Sequence, residues 1–244
     1  MAFIADVFDV LLVDDSGEVF ATTTLQTADI EVTVKENEWR GGKGNSLLAI
    51  IHSNRDIAVK LSDAEFRYDW IARQLGQNVV TGTGVGYAMP KWYKASGTTD
   101  VKITLDETPL ADTLAIYKAD GTLIPKTDYS AAGKEVKFST DVKAGDQVEV
   151  RTYQFATPAQ TQTIAIDNTV FAKGCKLILE TLEIDSNEVP VYKIQYQFDQ
   201  AMPSGNFSVK TASERNAQAQ AFDLKILKPR ESDVVGRVVR IPLS

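Results

Sequence analysis

Apolar and polar positions alternate in short runs along most of this chain, and turn residues separate the runs, which is the pattern of β structure. Near the N-terminus, Phe8–Val13 and Val19–Leu25 flank Asp14-Asp15-Ser16-Gly17, so a hairpin with turn chemistry at its tip is predicted. Ile30–Val34, Leu47–Ile51 and Ile57–Leu61 are three further β-prone runs. Between the first and second of these lies Lys35–Ser46, a polar insert that contains Trp39, Arg40, Gly41, Gly42, Lys43, Gly44 and Asn45. Hairpin loops usually take about 2 to 5 residues, so the insert reads as a long loop. A long loop on a β scaffold commonly carries contacts to other molecules.

The period then changes. Ser62 followed by Glu65 has the spacing of a capping box. Phe66, Trp70, Ile71 and Leu75 recur at helical spacing, and Gly76 follows as a stop. A helix over Ser62–Leu75 is therefore expected, its stripe lying on the sheet because so short a helix needs tertiary packing. Thr81–Gly86 is glycine-rich, but Tyr87–Trp92 does not open a helix, so a phosphate-cradling loop is set aside in favour of a linker or irregular strand.

From Thr99 the texture is that of short strands at close spacing. Val101–Leu105, Leu114–Tyr117, Glu135–Phe138 and Gln147–Tyr153 are separated by Thr108-Pro109, Ala119-Asp120-Gly121, Ala132-Gly133-Lys134 and Ala144-Gly145-Asp146. They predict a small inserted β-sandwich over residues 99–154, with a linker at Ala156–Gln162 and the main domain formed by 1–98 and 155–244. Beyond it, Lys176–Ile184 and Val189–Phe198 are strongly β-prone and joined by a turn at Asp185–Glu188. Phe207–Lys210 is a weaker strand candidate, Asn216–Ala221 is small and polar, and Val234–Ile241 reads as a terminal strand or arm. The expected fold is mainly β: a β-sandwich or barrel with one flanking α-helix, plus the small inserted sandwich.

Composition narrows the function classes. The chain has 244 residues and a net charge of −7, a balance that argues against binding nucleic acid through phosphate neutralisation. No apolar run approaches the roughly 18 residues of a membrane-spanning helix, and the N-terminus lacks the pattern of a signal peptide. The single cysteine, Cys175, sits in a β-prone run and reads as a buried hydrophobe, consistent with synthesis in a reducing cytoplasm. Asp14, Asp15 and Glu18 have oxygens that calcium accepts, yet a glycine-bearing turn with solvated acids accounts for them. The one histidine, His52, has neither a nucleophile motif nor metal-ligand spacing around it. Nucleophile-elbow, P-loop, HExxH and kinase signatures are missing, so no catalytic, cofactor or metal residues are assigned and a non-enzymatic protein is expected.

An N-terminal hairpin, a strand, the insert Trp39-Arg40-Gly41-Gly42-Lys43-Gly44-Asn45, more β structure, the helix opened by Ser62–Phe66 and the C-terminal pair Leu177–Ile184 and Val189–Phe198 together resemble the major tail tube proteins of tailed bacteriophages. The likeness is one of layout and covers roughly 1–98 and 155–244. It implies a structural virion protein of the tail, made in the host cytoplasm. Identical subunits would form rings, usually of six, that stack into a hollow tube through which DNA passes without specific binding. It further implies partners among the other tail proteins, and that Lys35–Ser46 reaches the neighbouring ring. The glycines and charges of that segment cannot form a core of their own, so it is expected to be disordered in the free subunit and ordered on assembly. Residues 99–154 resemble the small sandwich modules found on phage tails and fibres. Glu180, Glu183 and Asp185 are candidate lumen acids, since one face of their strand points away from the core. Two alternatives are a capsid decoration or other head protein, and a carbohydrate- or receptor-binding module using Trp39, Trp92 and Tyr93 as stacking platforms.

Overall fold

A computed structural model describes every residue except Met1, Thr140, Phe207, Lys210, Ala212, residues 214–218 and Ser244. In chain order its elements are β1 (Phe3–Ile4), β2 (Asp9–Asp14), β3 (Val19–Thr22), β4 (Leu25–Gly41), β5 (Ser46–Asp63) and the helix α1 (Tyr68–Leu75). There follow β6 (Val80–Thr81), β7 (Val85–Tyr87), β8 (Lys91–Lys94), β9 (Lys102–Thr104), β10 (Ala115–Lys118), β11 (Tyr129–Ala132), β12 (Glu135–Phe138), β13 (Gln147–Thr152), β14 (Gln154–Ala156) and β15 (Gln162–Thr163). The chain ends with β16 (Cys175–Ile184), β17 (Pro190–Pro203), β18 (Gln220–Ile226) and β19 (Gly236–Pro242). The molecule is mainly β with one α-helix. Two compact units are formed, one by Met1–Val79 with Ile164–Ser244 and one by Val80–Thr163.

The first unit is built on a nine-stranded sheet in the order β3-β2-β16-β17-β18-β5-β4, with β1 added to β16 and β19 to β17. The described strands end at β3 and β4, so the sheet does not close into a barrel. Strict alternation in β16, where Cys175, Leu177, Leu179 and Thr181 are buried, aims one face at the core. Val10, Leu12, Phe20, Val59, Leu61, Phe198, Phe222 and Leu224 meet them there. The indole of Trp70 fills the centre, edge-on to Phe222 at 4.4 Å and to Phe20 at 5.4 Å, arrangements that the ring quadrupole favours.

The helix is shorter than its sequence pattern predicts. Ser62 and Asp63 still belong to β5, paired with Ala221 and Gln220, so the capping box does not form. Asp63 instead accepts hydrogen bonds from the hydroxyls of Thr22 and Thr24 and from the backbone N–H of Glu65. The Gln220 side chain instead fixes the residue before the helix, its oxygen accepting from the Arg67 N–H at 2.7 Å and its amide donating to the Arg67 carbonyl. Phe66 precedes the helix and is exposed, whereas Trp70 and Ile71 are buried as the stripe requires. Gly76 stops the helix in a left-handed conformation (φ 68°), with the N–H groups of Gly76 and Gln77 returning to the carbonyls of Arg73 and Ala72. A Cβ at Gly76 would collide with the Phe171 carbonyl.

The second unit has two three-stranded sheets, β10-β13-β8 and β11-β12-β9, enclosing Ile103, Leu105, Ile116, Ile124, Val136, Val148 and Val150. It is wider than residues 99–154. Strand β8 pairs with β13, and the glycine-rich stretch supplies β6 and β7, which pair with β15 and β14. Thr81–Gly86, read as a linker or irregular strand, and Ala156–Gln162, read as a linker, are thus partly the two sides of a ribbon, a pairing that no local signal in either run announces. The strand candidate Phe207–Lys210 and the polar run Asn216–Ala221 fall partly outside the described residues; Ser208 and Val209 are not in a strand, while Gln220 and Ala221 begin β18.

Candidate functional site: a long hairpin arm

The insert Lys35–Ser46 is not a long loop. Strands β4 and β5 run antiparallel from Leu25 opposite Asp63 to Gly41 opposite Ser46, so Trp39, Arg40 and Gly41 are ladder residues. Only Gly42, Lys43, Gly44 and Asn45 form the turn, closed by a hydrogen bond from the Asn45 N–H to the Gly42 carbonyl. Gly42 (φ 76°), Gly44 (φ 86°) and Asn45 (φ 49°) all take the left-handed conformation that glycine and asparagine tolerate. Within the polar run Ser53–Asp56, which interrupts the apolar pattern, Asn54, Arg55 and Asp56 are ladder residues as well. The expectation of a disordered loop is therefore corrected: backbone pairing orders the segment within a single chain.

Polarity misleads here because both faces of this stretch lie outside the core. Ile30, Ile57 and Val59 still touch the core, and Val34 and Ser53–Arg55 border a hollow shared with Ile226, Lys228, Asp233 and Val235; beyond Glu36 and His52 the hairpin stands free as an arm, about 16 Å long at ~3.3 Å per residue. Two bulges, with Ser53 and Leu48 as the extra residues, twist it. Cross-strand partners share a face, so Val34 with Arg55, Glu36 with His52, Glu38 with Ile50 and Arg40 with Leu47 line one side. Asn37 with Ile51 and Trp39 with Ala49 line the other. Ion pairs join exposed polar positions, Arg40 Nη2 lying 2.7 Å from Glu38 and Lys60 Nζ 2.9 Å from Glu31, and the His52 ring lies beside the Glu36 carboxylate with Nδ1 at 3.5 Å.

The distal arm nonetheless exposes apolar side chains on both faces. Trp39 is 69% exposed and Leu48 67%, and Leu47, Ile50 and Ile51 are exposed as well. An unbroken apolar run such as Leu47–Ile51 normally marks a strand covered on both sides. These residues are what a site reading of the sequence misses. Their continuity was the available signal, and it could equally have meant a strand in the protein's own core.

The candidate lumen acids do not form one surface. Glu180 and Glu183 point to opposite faces of β16. Glu180 accepts from Lys193 Nζ at 2.8 Å and from Gln195 Nε2 at 2.6 Å, bonds that hold its carboxyl below the usual range. Glu183 is nearly buried and takes both arms of the Arg240 guanidinium at 2.7 and 2.6 Å, which lowers its pKa. Arg240 also stacks on Tyr192 at 3.5 Å, tying β19 across β17 to β16. Asp185 closes the β16–β17 turn by accepting from the N–H groups of Val189 and Asn187, which lowers its pKa too.

The other sequence candidates are accounted for locally. Asp14 closes the β2–β3 turn, its Oδ1 accepting from the Ser16 hydroxyl and from the N–H groups of Ser16 and Glu18, and these bonds lower its pKa. Among the described residues no group of three or more His, Cys, Asp or Glu is placed to hold a metal ion. Trp92 and Tyr93 are consecutive on β8 and face opposite sides, so they do not form one stacking surface. Among the same residues, no helix is long and apolar enough to cross a membrane.

A mainly β chain whose most prominent surface feature is an uncovered apolar arm belongs to a class that functions by assembly. In keeping with this, residues 2–241 match the model of the YomU/Tube protein family, and the chain belongs to that family. It is also similar to a tail tube protein of Bacillus phage SPR, with 26% identity over 224 residues, covering 91% of this chain and 82% of the relative.

Proposed function

We propose that copies of this chain stack as rings, six to a ring being the usual number in tail tubes, and that the β4–β5 arm is the element that joins one ring to the next. The role of structural subunit of a phage tail tube, located in the virion tail, follows from the family and the relative. Self-assembly and contact with other tail proteins go with that role, and its work is mechanical rather than catalytic. The observation that carries the ring-joining step is the distal arm, with Trp39 and Ile51 exposed on one face and Leu47 and Ile50 on the other. At about 25 cal/mol per Å² of apolar area, removing these side chains from water supplies a strong drive to associate. Shortening the arm by joining Lys35 to Ser53 through a two-residue turn should leave a folded protein that forms no tubes under the electron microscope. Tubes of normal length from that variant would refute the reading.

The lumen reading is proposed in a narrower form. Only the face of β16 that carries Glu180 has a second acid directly opposite, Asp9 on β2. That face is our candidate wall; Glu180 is paired with Lys193, so the charge that repels DNA phosphates around a ring comes from Asp9. Glu183, enclosed with Arg240, is not part of it, and neither is the turn-closing Asp185. A density map of the assembled tube with a neutral or basic inner wall would refute this.

A further inference from the structure

Trp92 shares no surface with Tyr93, but it shares one with residues distant in sequence. In the second unit β13 pairs with β8 on one side and β10 on the other, and Glu149 stands opposite both Trp92 and Tyr117. These three residues form a cross-strand row on one face of the sheet, while Ile116, Val148 and Val150 carry the other face into the core. Trp92 is 50% exposed. Next on the same face of β13, Arg151 lays its guanidinium on the Tyr117 ring at 3.7 Å and donates from Nε to Glu149 at 2.8 Å. The exposed pair Lys94 and Gln147 extends this face along β8 and β13.

The internal contacts of this face fix its geometry without covering it. Tyr117 beneath and Glu149 at the edge hold the guanidinium flat, and the Arg151 side chain remains 45% exposed. An open indole plane and a fixed guanidinium plane thus stand on strands about 10 Å apart, at ~4.8 Å per strand spacing. Between and beside them lie only hydrogen-bonding groups: the Glu149 carboxylate, the Gln147 amide and the Lys94 ammonium. No aliphatic side chain belongs to the set, in contrast to the exposed leucines and isoleucines of the arm. Such a surface suits a sugar. The negative face of an indole attracts the C–H groups of a pyranose ring. Sugar hydroxyls donate to a carboxylate and accept from amide, ammonium and guanidinium groups.

We infer that this face of β8, β13 and β10 is a carbohydrate-binding site, with a pyranose stacked on Trp92 and sugar hydroxyls held by Glu149 and Arg151. The site is independent of the arm and of ring formation. Titration of the full-length, unassembled chain with cellohexaose, maltohexaose and chitohexaose tests it. The chain has three tryptophans, so its NMR spectrum has three indole N–H signals, and Trp39→Phe and Trp92→Phe variants assign them. At least one sugar should move the Trp92 signal saturably, with a Kd on the order of 1 mM or tighter, and leave the buried Trp70 signal in place. Trp92→Ala and Arg151→Ala should each weaken that binding about tenfold, whereas Trp39→Ala should not change it. Trp92 and Arg151 lie outside the core, so unchanged thermal unfolding of both variants separates lost binding from lost folding. No shift of the Trp92 signal with any of the three sugars overturns the site. Binding that survives both Trp92→Ala and Arg151→Ala overturns it too, because the sugar then sits elsewhere on the chain. A shift confined to Trp39 would place the sugar on the arm, and the assignment to this face would fall.

Discussion

At Trp70 a single side chain organises the first unit. Its ring is fully buried between Phe20 and Phe222. Trp70→Ala leaves a cavity the size of an indole and should lower the unfolding free energy by about 3 to 5 kcal/mol, read from the urea midpoint of the unassembled protein. Cys175 illustrates burial acting on chemistry. Desolvation among apolar neighbours pushes its thiol up from 9.0 to about 11. Thiolate is the reactive form, so alkylation at pH 8 should be slow in the folded protein and fast after unfolding. The folded pKa is the higher one, so this group's contribution to stability is complete below about pH 9 and is lost as pH rises towards 11. A Cys175→Ala variant, compared with the parent across that window, should lack this component of alkaline destabilisation.

Among the elements, β19 depends on an ion pair as much as on its ladder. It holds β17 by backbone bonds along one edge, and Arg240 reaches past Tyr192 to Glu183 on β16. The folded pKa of Glu183 is depressed, so its stabilising contribution is present above the normal carboxylate value and is lost as pH falls through the folded one. Acidification below about pH 4 should therefore speed amide hydrogen exchange in residues 236–242 before it affects β16. A Glu183→Gln variant should show the faster exchange already at pH 7 and little further change with acid. If exchange in β19 is unaffected by this substitution, the pair does not hold the strand. The arm represents the other regime, an element ordered by its own ladder and turn, whose side chains lack cover in the isolated chain.

For the whole molecule, the division into two units sets the next expectation. The unit Val80–Thr163 has its own core, and its β6–β15 pair brings the two ends of the inserted segment together. It is proposed to be an outward-facing module that the tube does not need. Joining Val79 to Ile164 through a short glycine-serine linker should leave the remaining unit folded and able to assemble. A cut at Thr99 and Gln154 would instead strand β8 without its partner β13 and should give a poorly soluble product. Loss of folding on removal of Val80–Thr163 would show that the first unit depends on the second.

Much of the β content was legible in the sequence because it is written locally. The hairpin at Asp14–Gly17, the buried face of β16, the stop at Gly76 and most strands of the second unit follow from period-two alternation and turn residues, which act over a few positions. The stripe containing Trp70 was legible for the same reason. Tertiary structure decided what depends on partners distant in sequence. Ser62 and Asp63 went to a strand because Gln220 and Ala221 pair with them. The glycine-rich stretch became a ribbon because its partner lies some seventy residues on. The acids at Glu180 and Glu183 were separated by the pleat and neutralised by bases on other strands. Above all, the arm was hidden. A strand free on both faces needs no alternation, so a polar stretch within it looks like a loop, and only the register of β4 against β5 shows that it stands as a ladder.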